Sequence, residues 1–186
     1  MTTIKNALFN LLEDDWVVTE EEKKDYKIRS YKLENSKDKS LFGFSDASSK
    51  DVEEYVRNTG AFITIGNSGT IKSFGFLIMK NEVEKLVSKT EFYTLMECMK
   101  KVKNNGFIFS DSMNAIRAGK QQQKIGGFKV PKILHVRSHD NNSYNVFVDI
   151  LAKMATYGFP EFSKGGWEKS LEKRYILDSD MELELG

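Results

Sequence analysis

The order of pattern types along residues 40–156 restricts the fold more than any single residue does. Three short apolar runs come first, at 40–46 (SLFGFSD), 60–66 (GAFITIG) and 70–80 (TIKSFGFLIMK), and Asn-Ser-Gly at 67–69 makes a tight turn between the last two. Strand and helix patterns then alternate: a helix over 82–104, an apolar run at 106–111 (GFIFSD), a short helix over 113–118, a basic loop, a run at 132–139 (KILHVRSH) and a helix over 143–154. The long helix places Val83, Leu86, Val87, Leu95, Met99 and Val102 along one face. A helix between consecutive strands is the crossover that parallel neighbours need. A five-stranded mixed α/β sheet with helices on its faces satisfies that order.

Composition narrows the chemistry. The 186 residues, 40% of them hydrophobic, suit one core with appendages. We expect an N-terminal extension over 1–39, a principal domain over 40–156 and a C-terminal extension over 157–186. A short amphipathic helix is expected at 4–13, a helix or strand at 19–30 and a short helix near 167–175. Trp16 and Trp167 fall in the two extensions and mark either packing onto the domain or an interaction surface. No apolar run approaches the roughly 20 residues of a membrane span. The first 16 residues meet acidic positions where a cleavage site would lie, so a cytoplasmic protein is expected. Cys98 is the single cysteine and His135 and His139 the two histidines, which excludes disulfide frameworks and Cys/His zinc sites and leaves oxygen to hold any metal.

The formal net charge of +1, from 28 Lys and Arg against 27 Asp and Glu, conceals an asymmetry. Between Ser112 and His139 there is no Asp or Glu, while Arg117, Lys120, Lys124, Lys129, Lys132 and Arg137 all fall there. Such a run is either a solvated face or a patch for phosphates.

Several carboxylates occupy positions that a purely structural chain would make apolar. Asp46 and Asp111 end apolar strands in the same way, FGFSD and FIFSD, and ligands of α/β sheets gather at the carboxyl ends of parallel strands. Each alone also fits a turn or cap. Glu91 lies on the apolar stripe of the long helix, four residues from both Val87 and Leu95. Asp149 stands in the last helix between Phe147-Val148 and Ile150-Leu151, on one face with Asn145. A core-facing carboxylate is costly unless paired, hydrogen-bonded or bound to metal. His139 precedes that helix by a short polar loop.

These residues resemble the ribonuclease H family over about 40–156. The resemblance is carried by FSDASS at the first strand, TEFYTLMECM in the long helix, IFSDSMNAI at the fourth strand and HVRSHDNNSYNVFVDILAKMA at the end, where Val136, His139, Asn145 and Asp149 keep the family's order and spacing. It implies a ribonuclease H-like fold with sheet order 3-2-1-4-5. By the same resemblance Asp46, Glu91, Asp111 and Asp149 are metal-binding carboxylates for two Mg²⁺ ions, with Mn²⁺ able to substitute. Asp46 would bridge the two, Asp149 would help hold the ion that activates water, and Glu91 with Asp111 would hold the ion at the leaving group. His139 would move protons or aid product release, and Asn145 would support the substrate phosphate or a water.

The chemistry is consistent with this set. Phosphodiester cleavage needs an activated water, neutralised phosphate oxygens and a stabilised leaving oxyanion, and divalent ions on carboxylates supply all three. The implied activity is endonucleolytic hydrolysis of the RNA strand of RNA/DNA hybrids, with Ser48, Ser112, Asn114, Lys120, Lys124 and Arg137 as candidate substrate contacts. A nuclease of the same fold acting on DNA or structured RNA, and a nucleic-acid-binding module with weak catalysis, are the alternatives. The interval from Asp111 to His139 is short for the family, its basic protrusion reduced to AGKQQQKIGGFKV. A protein partner recruited through either extension is one way to offset that loss.

Overall fold

A computed structural model of the chain describes residues 2–3, 15–33, 39–52, 54–126, 131–136, 143–156 and 182–183. His139, Arg137, Trp167, the helix expected at 4–13 and the one expected near 167–175 lie outside the described residues. Among those described are nine strands and three helices. The strands are β1 (Thr2–Thr3), β2 (Trp16–Glu22), β3 (Tyr26–Leu33), β4 (Ser40–Val52), β5 (Tyr55–Ile65), β6 (Ile71–Met79), β7 (Val102–Ser110), β8 (Lys132–His135) and β9 (Glu182–Leu183). The helices are α1 (Val87–Met99), α2 (Met113–Gly126) and α3 (Ser143–Thr156). None of the described helices is long and apolar enough to cross a membrane.

The main sheet has seven strands in the order β2-β3-β6-β5-β4-β7-β8, which corrects the five-stranded expectation; β1 and β9 form a separate antiparallel pair. The run β6-β5-β4-β7-β8 comes from residues 40–135, and residues 16–33 add a hairpin beyond β6. That hairpin escaped pattern reading because β2 (WVVTEEE) is exposed along almost its whole length, so it has no apolar alternation to detect. β4 pairs antiparallel with β5 and parallel with β7, and β7 pairs parallel with β8. The β5–β6 turn closes over Gly66–Thr70 with Gly69 at φ 81°, a left-handed conformation that glycine adopts without steric cost.

Two apolar layers cover the sheet. On one face α3 lays Phe147, Val148, Leu151, Ala152 and Ala155 against Phe44, Ala61, Ile63, Phe74 and Phe76. On the other, α1 and α2 pack Leu95, Cys98, Ala115 and Ile116 against Phe62, Leu77, Ile108 and Ile133. Tyr26 and Ile28 of β3 join the second layer, and Tyr31 joins the first, stacked on Phe74 at 4.5 Å. Trp16 packs edge-on against Phe74 at 4.9 Å.

Several boundaries differ from the sequence expectation: the second strand starts at Tyr55 and the fourth at Val102, ahead of their apolar runs. The first strand does not stop at Asp46, because the polar stretch after it continues in register with β5 through Val52↔Tyr55, leaving Asp46 mid-strand and Ser48 within the sheet. The long helix is shorter at both ends. The Asn81 side chain accepts the N–H groups of Val83 and Glu84 before it starts, and Val102 is buried as a strand residue paired with Ser40. Val83, assigned to the apolar stripe, is 82% exposed. The basic loop after Ala118 is instead helix as far as Gly126. The fifth strand ends at His135 rather than 139.

Candidate metal centre

The parallel pairing of β4 with β7 aligns Phe42 with Phe107 and Phe44 with Phe109, so the two Phe-x-Phe-Ser-Asp runs lie side by side in register. The repeat in sequence thereby becomes a juxtaposition of Asp46 and Asp111 in space. β7 ends at Ser110, where the chain turns through Ser112 into α2, while β4 continues. The Ser112 hydroxyl accepts the Ala115 N–H, starting α2 beside the carboxylates, and acts on Glu91 to lower its pKa.

Glu91 arrives from above on α1. That helix comes close to the sheet because its contact points are glycines: a Cβ on Gly60 would overlap the Thr94 side chain, and one on Gly43 would lie 2.6 Å from Cys98 Sγ. Asn58, fully buried on β5, holds the entry to the helix, its amide donating to the Glu84 carbonyl at 2.7 Å and its oxygen accepting the Leu86 N–H at 2.7 Å. Asp46, Glu91 and Asp111 each present an oxygen within 4.8 Å of the others. Asp149, from α3 on the opposite face, acts electrostatically on Asp46 and Asp111 and pairs with Lys153 one turn on at 3.0 Å.

Burial and like charge act together on these carboxylates. Asp46 is 5% exposed, and its carboxyl is held well above the usual carboxylate range by burial first, then by the charges of Asp111 and Asp149, against the opposing 2.8 Å hydrogen bond from the Ala47 N–H. Asp111 is raised by burial and by Asp149, with hydrogen bonds and the nearby His135 opposing. Glu91 is raised by burial and Asp111, opposed by the Ser112 hydroxyl. An all-oxygen set of this kind suits a hard divalent ion such as Mg²⁺ or Mn²⁺, whose charge would relieve the repulsion among the three.

The remaining expected residues divide. Asn145 is buried on α3 one turn before Asp149, and Ser48 is buried two residues beyond Asp46 on the same face of β4. Asn114 is exposed in the first turn of α2. Lys120 and Lys124 are exposed on α2 in one stripe with Arg117, and with Lys132, Gln123, Ile133 and Leu134 they line a cleft of about 390 Å³. Sequence reading passed over His135, which pairs in register with Ser110 and acts electrostatically on Asp111. Aligning the fourth and fifth strands as parallel neighbours would have revealed it. It also passed over Lys153, whose i,i+4 spacing from Asp149 was visible.

No protein-family model matches the sequence, and no curated protein matches it significantly. Among solved structures the chain is similar to the crystal structure of LC9-RNase H1, a type 1 RNase H with the type 2 active-site motif. The identity is 12% and the TM-score 0.49, over 81% of this chain and 89% of that one. At that TM-score the likeness is one of outline, and the functional reading stands on the carboxylates.

Proposed function

We propose that this chain is a ribonuclease H-like, metal-dependent endonuclease that hydrolyses the RNA strand of RNA/DNA hybrids. The observation that carries the reading is the meeting of Asp46, Glu91 and Asp111 from three separate elements within 4.8 Å, around a buried carboxyl that no basic side chain neutralises among the described residues. Structural carboxylates are placed apart or paired with cations; these are gathered. The motif order in the sequence supports the family, and the strand order around β4 accords with it.

In this reading Asp46, Glu91, Asp111 and Asp149 hold two Mg²⁺ ions, which when bound neutralise phosphate oxygens and lower the pKa of water. Asp46 would contribute to both, Asp149 from the side of α3 and Glu91 with Asp111 from the side of α1, as the family resemblance implies. In this reading the Ser112 hydroxyl, expected as a substrate contact, would instead steady the Glu91 carboxylate, whose pKa it lowers. Lys153 pairs with Asp149 at 3.0 Å, so a cation held there would have to compete with it. The stripe Arg117, Lys120 and Lys124 starts one turn beyond Asp111, so a duplex phosphate at the carboxylates would have further phosphates along α2, a helix spanning about 20 Å at 1.5 Å per residue. His139, Arg137 and Asn145 keep the roles that the family resemblance implies.

The test is incubation of labelled RNA/DNA hybrid, RNA duplex, DNA duplex and single strands with Mg²⁺ or Mn²⁺, beside Asp46→Asn. Cleavage confined to hybrid RNA and lost in the variant is the expected result. Equal activity in the variant, or no preference for the hybrid, refutes it.

A further inference from the structure

The helix that carries Glu91 is poorly equipped to place itself. Its buried residues are Thr90, Thr94, Leu95, Glu97 and Cys98, only two of them apolar, and no side chain caps its N-terminus. The threonine hydroxyls turn back onto the helix, Thr90 to the Leu86 carbonyl and Thr94 to the Thr90 carbonyl, and so make no link to the sheet. Beneath it lie Gly43 and Gly60, which permit close approach but offer no side chain to lock its sliding or rotation. Interdigitating side chains normally fix a helix on a sheet. With only Leu95 and Cys98 fully buried among its apolar residues, polar contacts at the two ends of the helix add to its placement.

One end is Asn58, already described. The other is the N-terminal hairpin. Tyr26 of β3, 8% exposed, donates its hydroxyl to Glu97 Oε1 at 2.6 Å, and Glu97 is itself 5% exposed and receives Lys100 Nζ at 3.0 Å. The Tyr26 ring lies 5.0 Å from that of Tyr93, whose hydroxyl donates to Asp25 Oδ2 at 3.0 Å. The hairpin is in turn fastened to the sheet. β3 pairs with β6 from Tyr26↔Met79 to Lys32↔Ser73, the Lys80 N–H donates to the Asp25 carbonyl at 3.0 Å, and Lys80 pairs with Glu22 at 3.0 Å. Glu91 lies between the two anchors, about 9 Å along the helix from Glu97.

We infer that the β2–β3 hairpin is a positioning device for Glu91, with Tyr26 and Glu97 as its positioning residues; the inference rests on the carboxylates forming the metal site proposed above. The hairpin grips the far end of α1, so the carboxylate that this helix offers to the cation meets Asp46 and Asp111 at a set distance. A phenol-to-carboxylate bond between two buried residues suits that task, being charge-assisted and directional. Loss of such an outer contact loosens the ligand without removing it, and metal affinity falls while the ligand set stays intact.

The experiment uses the full chain and five variants. Tyr26→Phe removes the hydroxyl and keeps the ring against Tyr93. Glu97→Gln keeps an acceptor for that hydroxyl. Tyr31→Phe removes a hydroxyl from the same strand on the opposite face. Glu91→Gln, alone and combined with Tyr26→Phe, asks whether the effect runs through Glu91. Amide hydrogen exchange in chelator and Mn²⁺ titration by calorimetry are the readouts.

For Tyr26→Phe we expect exchange over 87–99 to quicken at least about threefold relative to α3, and Mn²⁺ affinity to fall about threefold to tenfold, below the range for direct outer-shell partners. Glu97→Gln, which keeps the acceptor and loses the charge, should change both less than Tyr26→Phe does, and Tyr26→Phe should have no further effect on Mn²⁺ affinity once Glu91 is Gln. Unchanged exchange in α1, the same changes from Tyr31→Phe, or a full effect of Tyr26→Phe in the Glu91→Gln background overturns the inference. A parent that binds no Mn²⁺ refutes the metal site instead, and the exchange arm still decides whether the hairpin holds the helix.

Discussion

Replacing Asp46 with asparagine should make the metal-free protein more stable while abolishing its activity. Two unit charges 4.8 Å apart, the outer limit for oxygens in this cluster, repel by about 3.5 kcal/mol at an effective dielectric of about 20. Asp46 faces both Glu91 and Asp111, so full ionisation of the three would cost it about 7 kcal/mol before burial is counted. Protonation sets a lower ceiling. A carboxyl with an ordinary pKa of 3.8 is kept neutral at pH 7 for about 1.36 × 3.2, or about 4.4 kcal/mol. The smaller number governs, because the folded protein escapes repulsion by keeping the proton. Asparagine has the same shape, retains an oxygen for the Ala47 N–H, offers an N–H₂ toward Asp149 and carries no proton to retain.

The sign follows from the direction of the shift. The folded-state carboxyl titrates above the unfolded one, so its contribution to stability is whole below about pH 4 and is lost steadily as pH rises through neutrality, at about 1.4 kcal/mol per unit. The expected gain from Asp46→Asn in chelator is therefore about 2–4 kcal/mol near pH 7, or roughly 5–15 °C in Tm, shrinking to less than about 1.6 kcal/mol near pH 5. Saturating Mg²⁺ should reverse the order, because it stabilises the parent by mass action and finds a poorer site in the variant. Urea and thermal unfolding across this pH range, with and without metal, measure all of it. An Asp46→Asn protein no more stable than its parent in chelator near pH 7, or equally favoured near pH 5 and pH 7, would refute the reasoning.

Three further outcomes test how the site is built. Gly60→Ala should destabilise by about 1–3 kcal/mol because its Cβ meets Thr94, and Thr94→Ala in the same chain should restore part of that; simple additivity in a double-mutant cycle would show that the helix does not rest on this contact. Asn58→Ala should cost about 2–3 kcal/mol in urea unfolding, since the Leu86 N–H and the Glu84 carbonyl lose a buried partner, and a loss under about 0.5 kcal/mol would mean that water replaces it. Charge reversal at Lys120 and Lys124 should weaken hybrid binding uniformly across sequences and flatten the plot of log affinity against log salt by about two units; an unchanged slope would remove α2 from the footprint.

The parts of the fold legible in the sequence are those whose burial is one-sided or complete. Residues 60–66 and 106–111 are apolar runs and became strands, and the apolar stripe of α3 is broken by Asn145 and Asp149 at spacings that put both on one face. Burial was also what brought Asp46 and Asp111 to notice, since a carboxylate after Phe-x-Phe-Ser stands out against its neighbours. Where polarity and regular structure coexist, that signal vanishes. The hairpin of residues 16–33 presents Glu20, Glu21 and Glu22 along one strand, α2 runs through three glutamines and two lysines, and β4 continues past Asp46 as Ala-Ser-Ser-Lys-Asp-Val. Backbone pairing and helical hydrogen bonds carry the polar positions of these elements, and the few apolar residues that anchor them, Tyr26, Ile28 and Tyr31 in β3 and Ala115 and Ile116 in α2, are too sparse for hydropathy to report the whole element.

The same reason explains the error on α1. Val83 and Val87 continue a 3.6-residue period that ends in solvent, while the face turned to the protein carries Thr90, Thr94 and Glu97. A helix with only Leu95 and Cys98 as fully buried apolar residues, and otherwise held by glycine contacts and hydrogen bonds, leaves an apolar stripe too weak to bound it. That weakness is also what makes its position depend on residues far from the carboxylates in sequence, Tyr26 and Asn58 above all, which no spacing rule connects to Glu91.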